Sequence, residues 1–344
     1  MTIGAEPLHL RMPGEFEPHE RTVMCWPARR SLWGDLFARA EEAHAEVARA
    51  IAAFEPVTVI ASTASAARRA SSLCGGVVDV VELPIDDSWF RDTGPTYTVD
   101  DQGGRVAVSW GFNGWGGKQA PWGDDARIAV RWAAHAGHDL EVVPMVLEGG
   151  SIAVDGTGTL VTTTECLDNP NRNPTMSSEQ IDQMLRDQLG ASTVIWLPYG
   201  LALDHDTDGH VDNVVAFTAP GRMLVQGCAD AAEPDHDRLA ADRRVLVEAR
   251  DGRGYAIELI DVPVLAFAEL ADRRAAVPYL NLYIGNRFAL VPTSGHPADV
   301  DMVAIVAAEL PGREVMALDV GSILAFGGGG IHCITQQVPA VATS

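Results

Sequence analysis

Apolar residues recur along this chain with two alternating periods. Runs rich in β-branched residues, VTVIAS, VDVVELP, TVIWLP, NVVAFTA and YLNLYIGN, predict strands. Between them LFARAEEAHAEVARAIAAF, DDARIAVRWAAHAG and SSEQIDQMLRDQL place apolar side chains three and four positions apart, which predicts amphipathic helices. SSEQ carries a capping-box signature, with Ser177 or Ser178 ahead of Glu179 or Gln180. DGTG, from Asp155 to Gly158, predicts a hairpin turn. The chain reads as mixed α/β, and no low-complexity segment or linker divides it. We expect one catalytic domain over residues 1–344 with a short flexible tail at about 340–344.

Marking the polar motifs on this pattern brings out a spacing. Asp92 in WFRDTGP, Glu148 in LEGGS, His210 in DGHVD and Cys333 in GGGGIHCITQQ stand 56, 62 and 123 residues apart, the last interval close to twice the others. A repeat of about 60 residues accounts for this, with a skipped unit that contains YLNLYIGN. Units that each send one strand end to a common axis, as propeller blades do, bring such distant residues together.

The densest cluster of polar groups is LDHDTDGHVDNVV, Leu203 to Val215. As a calcium loop it has Asp204, Asp206, Asp208 and Gly209 in suitable places, but the twelfth position, where a bidentate glutamate closes the cage, is Val215. Its flanks also read as strands rather than helices. His205, Asp206 and His210 offer transition-metal ligands without a recognised spacing. An Asp-rich turn entering a strand is the plainer reading, with His210 and Asp212 directed to one face by their two-residue separation.

The 344 residues are 47% hydrophobic and 21% charged, the composition of a packed protein. A formal net charge of −22 disfavours nucleic acid and anionic membranes and favours small cations near an acidic cleft. MTIGAEPLHLRMPGEFEPHE does not read as a secretory signal and no apolar run is long enough to span a bilayer, so a cytoplasmic protein is expected. Five scattered cysteines, Cys25, Cys74, Cys166, Cys228 and Cys333, exclude a disulfide framework or a zinc knuckle. The first four read as small buried apolar side chains. Cys333 differs: four glycines precede it and Thr335, Gln336 and Gln337 follow it, which predicts an open, ligand-facing turn.

A thiol among carboxylates needs a compensating positive charge to become a nucleophile. A planar guanidinium between Asp92, Asp212 and Cys333 supplies it, since its parallel N–H pairs match carboxylate oxygens. EFEPHERTVMCWP, DDSWFRDTGPT, WGFNGWGG, EGGSIAVDG, ECLDNPNRNP, TDGHVDN, YLNLYIGN and GGGGIHCITQQ, in this order, resemble the agmatine deiminases of the guanidine-modifying (pentein) superfamily. The resemblance implies an α/β propeller of five ββαβ modules and hydrolysis of agmatine to N-carbamoylputrescine and ammonia, a step of polyamine and putrescine metabolism. It implies no metal and no organic cofactor, and leaves a homodimer open.

By the same resemblance Cys333 is the nucleophile that forms a covalent thiouronium intermediate, and His210 the general acid and base. Asp92 and Asp212 form the guanidinium clamp, and Glu148 orients and charges the histidine. Trp89, Asp206 and Gly330 are further substrate-binding positions. The chain departs from the family pattern at Gly330, where asparagine is usual and left-handed backbone geometry is tolerated by both, and at His205, where an acidic residue is usual. Arginine, methylarginine or peptidyl arginine are the alternative substrates, for which Arg91, Arg172 and Arg287 are the few basic residues near the motifs. A calcium or metal-binding protein built on residues 204–212 is the alternative outside this class.

Overall fold

The computed structural model describes residues 10–341. Three sheets repeat one order. Thr96–Val99 pairs antiparallel with Arg105–Gly111, which pairs parallel with Asp139–Val146 beyond the helix Asp125–Ala136. Ile152–Val154, Thr159–Thr163 and Thr193–Leu197 do the same around the helix Ser178–Leu189. So do Val215–Ala219, Arg222–Gln226 and Glu258–Val262 around Asp235–Glu248.

A fourth sheet of this kind joins Tyr283–Gly285, Phe288–Pro292 and Glu314–Leu318 around Asp299–Glu309. It is the unit the spacing predicts around YLNLYIGN. The fifth is made from both ends of the chain: Thr335–Pro339 pairs antiparallel with His19–Cys25, which continues in parallel to Val57–Ala61 beyond the helix Phe37–Ala52. Asp79–Glu82 extends this sheet, and a separate hairpin, Ala266–Leu270 with Arg273–Val277, stands beside the others. Parallel neighbours require a crossover of a dozen or more residues, and each helix supplies one.

Local chemistry explains the turns. Asp155 accepts hydrogen bonds from the amides of Thr157 at 2.8 Å and Thr159 at 2.9 Å, closing the expected hairpin between Ile152–Val154 and Thr159–Thr163. Ser177 and Gln180 form the capping box reciprocally at 3.3 and 2.9 Å. Of the expected tail, Ala340 is tied through its amide to the Pro18 carbonyl at 2.8 Å, and residues 342–344 lie outside the described residues. Among the described residues no helix is long and apolar enough to cross a membrane.

Two local expectations are corrected. His210 and Asp212 do not share a strand: His210 precedes the 3-10 turn Val211–Asn213, and Asp212 lies inside it. Thr335, Gln336 and Gln337 are not an open turn but part of the buried strand Thr335–Pro339, and Cys333 occupies the turn His332–Ile334 just before it. Pairing with His19–Cys25 satisfies that strand's backbone, so polar side chains can be buried there.

The helix Phe37–Ala52 carries a buried histidine with a consequence for stability. His44 is edge-on to Trp26 and Trp33, and Nδ1–H donates to the Ala40 carbonyl at 2.8 Å. Burial pulls its pKa down from 6.5 to about 4. Because the folded value is the lower one, this stability is present above pH 6.5 and is lost as pH falls through 4. A shift of this size amounts to roughly 3 kcal/mol. Urea midpoints measured across pH 7 to 4 are expected to fall in the natural protein and to lose most of that slope in His44→Leu.

Candidate active site

The leading strands of the five sheets begin at Thr96, Ile152, Val215, Tyr283 and Thr335. Every candidate reactive residue stands a few positions ahead of one of these starts. Asp92 is in the turn Phe90–Thr93, Glu148 precedes Gly149–Ser151, His210 and Asp212 frame the entry to Val211–Asn213, and Cys333 is in His332–Ile334. The fourth sheet places Asn281 in the corresponding position. Single turns between sheet and site fix these side chains on rigid elements.

Gly150 shows how tightly the turns meet. A Cβ there would lie 2.6 Å from His210 Nδ1 and 2.9 Å from both Asp212 Oδ2 and Asp92 Oδ1. Any side chain at this point pushes the three apart. Displacements near 1 Å cost about a hundredfold in well-oriented sites. Gly150→Ala is therefore expected to lower kcat/KM by one to two orders of magnitude, on the order of that figure, with an unchanged circular dichroism spectrum.

Cys333 is buried, and Asn281 Nδ2 donates to its sulfur at 3.2 Å while Asp212 Oδ2 lies 3.6 Å away. The same Asp212 oxygen accepts from His332 Nδ1 at 2.8 Å, whereas Oδ1 is buried without a partner. Behind His332, Glu15 Oε2 approaches Nε2 at 2.9 Å and accepts from Arg91 Nη2 at 2.8 Å. Asp92 accepts from the Gly150 amide at 3.0 Å and from Trp115 Nε1 at 2.9 Å. Each oxygen of Asp92 retains acceptor capacity.

His210 is enclosed, yet neither ring nitrogen has a hydrogen-bond partner. Nδ1 is 3.8 Å from Asp92 Oδ1 and Nε2 is 3.9 Å from Glu148 Oε2, distances for Coulomb attraction rather than hydrogen bonding. Glu148 is itself anchored, its Oε1 accepting from Arg172 Nε at 2.8 Å with both side chains fully enclosed. Unpartnered buried polar atoms are costly and rare. Those in the site are the two His210 nitrogens and Asp212 Oδ1, on either side of Gly150.

The charges follow from this layout. Burial opposes a charged imidazole, but Asp92, then Cys166 and Glu148, hold the His210 pKa well above its usual value. Burial, then Asp212 and Asp92, push the Cys333 thiol well up. Asp212 sits below its ordinary range because His332, and less directly His210, overcome the burial that would raise it. Burial raises Asp92, with His210 acting in the opposite direction. These directions favour a protonated thiol, a charged imidazole and an ionised Asp212 supported from behind by His332.

The cleft reaching Cys333 is lined by Trp89, Asp92, Trp115, Asp206, Thr207 and Gly328 among others, and encloses about 360 Å³ counted to its mouth. Trp89 stacks on Trp33 at 6.0 Å between ring centroids and presents its other side to the cleft. Asp206 stands at the mouth. Gly330 lies outside the left-handed backbone region, contrary to expectation. Its smallness is needed because a Cβ would meet the side chain of Asn281.

The Asp-rich loop is organised by protein donors. Asp204 accepts from Thr207 Oγ1 at 2.6 Å, the His210 amide at 3.1 Å and Asn213 Nδ2 at 3.1 Å. Asp208 accepts from Asn171 at 3.0 Å and Arg172 at 2.5 Å, and Asp206 from Arg273 at 2.6 Å. Its carboxylates thus build the turn that delivers His210. Of the three arginines expected as partners for a substrate carboxylate, Arg91 and Arg172 are instead committed to Glu15 with Gln337 and to Glu148 with Asp208, and Arg287 is exposed in the turn between Tyr283–Gly285 and Phe288–Pro292.

Sequence reasoning missed four residues. Asn281 had a signal, since it occupies the skipped position of the 60-residue spacing. Arg172 is read in the sequence as a basic residue near the motifs and not as the partner of Glu148. His332 and Glu15 also lie in quoted motifs, but nothing local shows that they are neighbours. Cys166, read as a plain apolar side chain, is buried but lies 4.0 Å from Glu148 Oε2, and burial raises its pKa.

The family model described as Porphyromonas-type peptidyl-arginine deiminase matches residues 11–339. An agmatine deiminase of Stutzerimonas stutzeri (strain A1501) is 43% identical over 352 residues, covering 96% of this chain and 95% of that protein. One from Pseudomonas aeruginosa (strain LESB58) is 42% identical over 358 residues, with 96% and 95% covered. The solved structure of the agmatine deiminase of Enterococcus faecalis superposes with a TM-score of 0.92 at 31% identity, covering 98% of each chain.

Proposed function

The chain belongs to the Porphyromonas-type peptidyl-arginine deiminase family, and from that premise we propose that it hydrolyses the guanidinium group of agmatine to N-carbamoylputrescine and ammonia. Its relatives of about 40% identity over nearly the full chain are agmatine deiminases. The observation that carries the reading is that Asp92 and Cys333 line one cleft, with Asp212 3.6 Å from the Cys333 sulfur and unpartnered His210 3.8 Å from Asp92.

A guanidinium placed between Asp92 and Asp212 offers N–H groups to both carboxylates, including the unpartnered Asp212 Oδ1. Its positive charge offsets the two carboxylates that, after burial, raise the Cys333 pKa, so on substrate binding the thiol releases its proton to solvent, His210 being already charged, and the thiolate forms. The sulfur then attacks the guanidinium carbon and forms a C–S bond. Charged His210 gives its proton to the departing amino group, the C–N bond breaks, and ammonia leaves a thiouronium on Cys333. Neutral His210 next accepts a proton from water as the oxygen bonds to the same carbon. Collapse breaks the C–S bond and releases the ureido product with a regenerated sulfur. Glu148, held by Arg172, keeps His210 charged before the first step and oriented in the second.

The repeated sheet order and the regular placement of site residues support a propeller of five ββαβ modules about one axis, with all five in one catalytic domain. Arginine and peptidyl arginine are less suited, because Arg91 and Arg172 are already engaged by internal carboxylates.

Ammonia release from agmatine, arginine, methylarginines and an arginine peptide tests the reading, and agmatine is expected to have the highest kcat/KM. Removing one carboxylate of the clamp with Asp92→Asn or Asp212→Asn leaves a buried cation half-paired, a loss of roughly 3–5 kcal/mol. KM for agmatine is expected to rise by more than about a hundredfold in each.

A further inference from the structure

We propose that Arg273 tunes the selectivity of the cleft by competing with the distal amine of the substrate for Asp206. This rests on the reading of the cleft as a guanidine-substrate site. Asp206 lines the cleft together with Trp89, Thr207 and Cys333, and it also lines the adjoining cavity together with Arg273, Pro278 and Ala325. Its carboxylate is thus the partition between the two. On the cleft side it is wedged against the glycine run, where a Cβ on Gly328 would lie 2.8 Å from Asp206 Oδ2. From the other side Arg273 Nη2 donates to that same oxygen at 2.6 Å.

Arg273 is held for this contact. It opens the strand Arg273–Val277, directly after a turn in which Ala271 and Asp272 both have positive φ, of 48° and 60°. Two consecutive left-handed residues give a tight hairpin turn that fixes where the next side chain starts. Arg273 Nη1 also donates to the Phe326 carbonyl at 2.9 Å, and its guanidinium faces the Phe326 ring at 6.0 Å. A linear dication with its guanidinium at Asp92 and Asp212 runs past Trp89 toward this partition. The amine that reaches Asp206 then meets a carboxylate already paired with a cation. It must displace Arg273 or sit beside it against like-charge repulsion, and either course reduces the gain from the amine. A guanidine without the amine makes no such demand.

Binding calorimetry in the Cys333→Ser background reads this without turnover, using agmatine and n-butylguanidine as ligands. Arg273→Gln removes the competing charge but retains a donor for Phe326. The side chains of Arg273 and Asp206 are 41% and 35% exposed, so the pair is screened and the expected effect is a few-fold. Agmatine affinity is expected to increase about threefold to fivefold while n-butylguanidine affinity is unchanged. Arg273→Lys, which keeps the charge, is expected to leave both ligands near their starting values. Equal changes for both ligands, no change for either, weaker agmatine binding, or no agmatine binding in any variant overturns the assignment. Ammonia release from agmatine by the natural protein is measured separately, so failure of the deiminase reading is distinguished from failure of the role given to Arg273.

Discussion

Cys333→Ser is expected to abolish ammonia release, by at least roughly a thousandfold in kcat, while leaving the circular dichroism spectrum and urea midpoint close to those of the natural protein. The exchange removes a polarisable nucleophile and keeps a side chain of nearly the same volume. The hydroxyl can still accept from Asn281, which donates to the sulfur at 3.2 Å. It cannot ionise to a useful degree, because its intrinsic pKa is far higher and Asp212 and Asp92 oppose any negative charge at that position. Binding of the guanidinium depends on the carboxylates and is retained. Measured together, turnover lost with binding kept identifies the sulfur as the reacting atom. Turnover close to that of the natural protein would remove the covalent mechanism.

The largest expected effect on stability comes from Arg172→Met. Arg172 and Glu148 are both fully enclosed and joined at 2.8 Å, and a second guanidinium nitrogen of Arg172 bonds Asp208 at 2.5 Å. Removing the cation leaves a carboxylate in the interior with only His210 at 3.9 Å and the Cys166 sulfur at 4.0 Å beside it. Breaking one side of a buried ion pair costs about 3–5 kcal/mol, far more than the pair contributes relative to an apolar replacement. Urea denaturation of Arg172→Met should show a loss in that range, and Arg172→Met combined with Glu148→Gln should recover a large part of it. Equal losses in the single and double variants would mean that the charge on Glu148 is not what Arg172 neutralises.

Much of the scaffold is legible in the sequence because its signals are local. Strand and helix periods, the Ser177 box and the Asp155 hairpin each depend on a few adjacent residues, and the structure has them, although only Tyr283–Gly285 of YLNLYIGN is strand. The spacing of Asp92, Glu148, His210 and Cys333 is also legible, since one residue ahead of each leading strand recurs with the repeat. The 52-to-68-residue variation in strand starts explains why the fourth position, Asn281, was located only as a region.

Other features depend on three-dimensional closure. His332 beside Asp212 requires contact across 120 positions, and Glu15 beside His332 requires the first and last segments to meet. No periodicity records such pairings. The two-residue separation of His210 and Asp212 predicts a shared strand face, but the left-handed Asp208 and Gly209 turn the chain before the strand begins. Thr335 to Gln337 read as exposed because they are polar, whereas their neighbours in the fold, not their own chemistry, decide their burial.

The pairing of Thr335–Pro339 with His19–Cys25 also has a meaning for biogenesis. During synthesis the segment His19–Cys25 waits, with one edge unpaired, until more than 300 further residues have been made. Such an edge is where a growing polypeptide is most prone to self-association, so the ribosome-bound stage is the vulnerable one. The strand that seals it begins two residues after Cys333, the proposed nucleophile. Completion of the sheet and protection of its exposed edge therefore depend on one short segment of the chain.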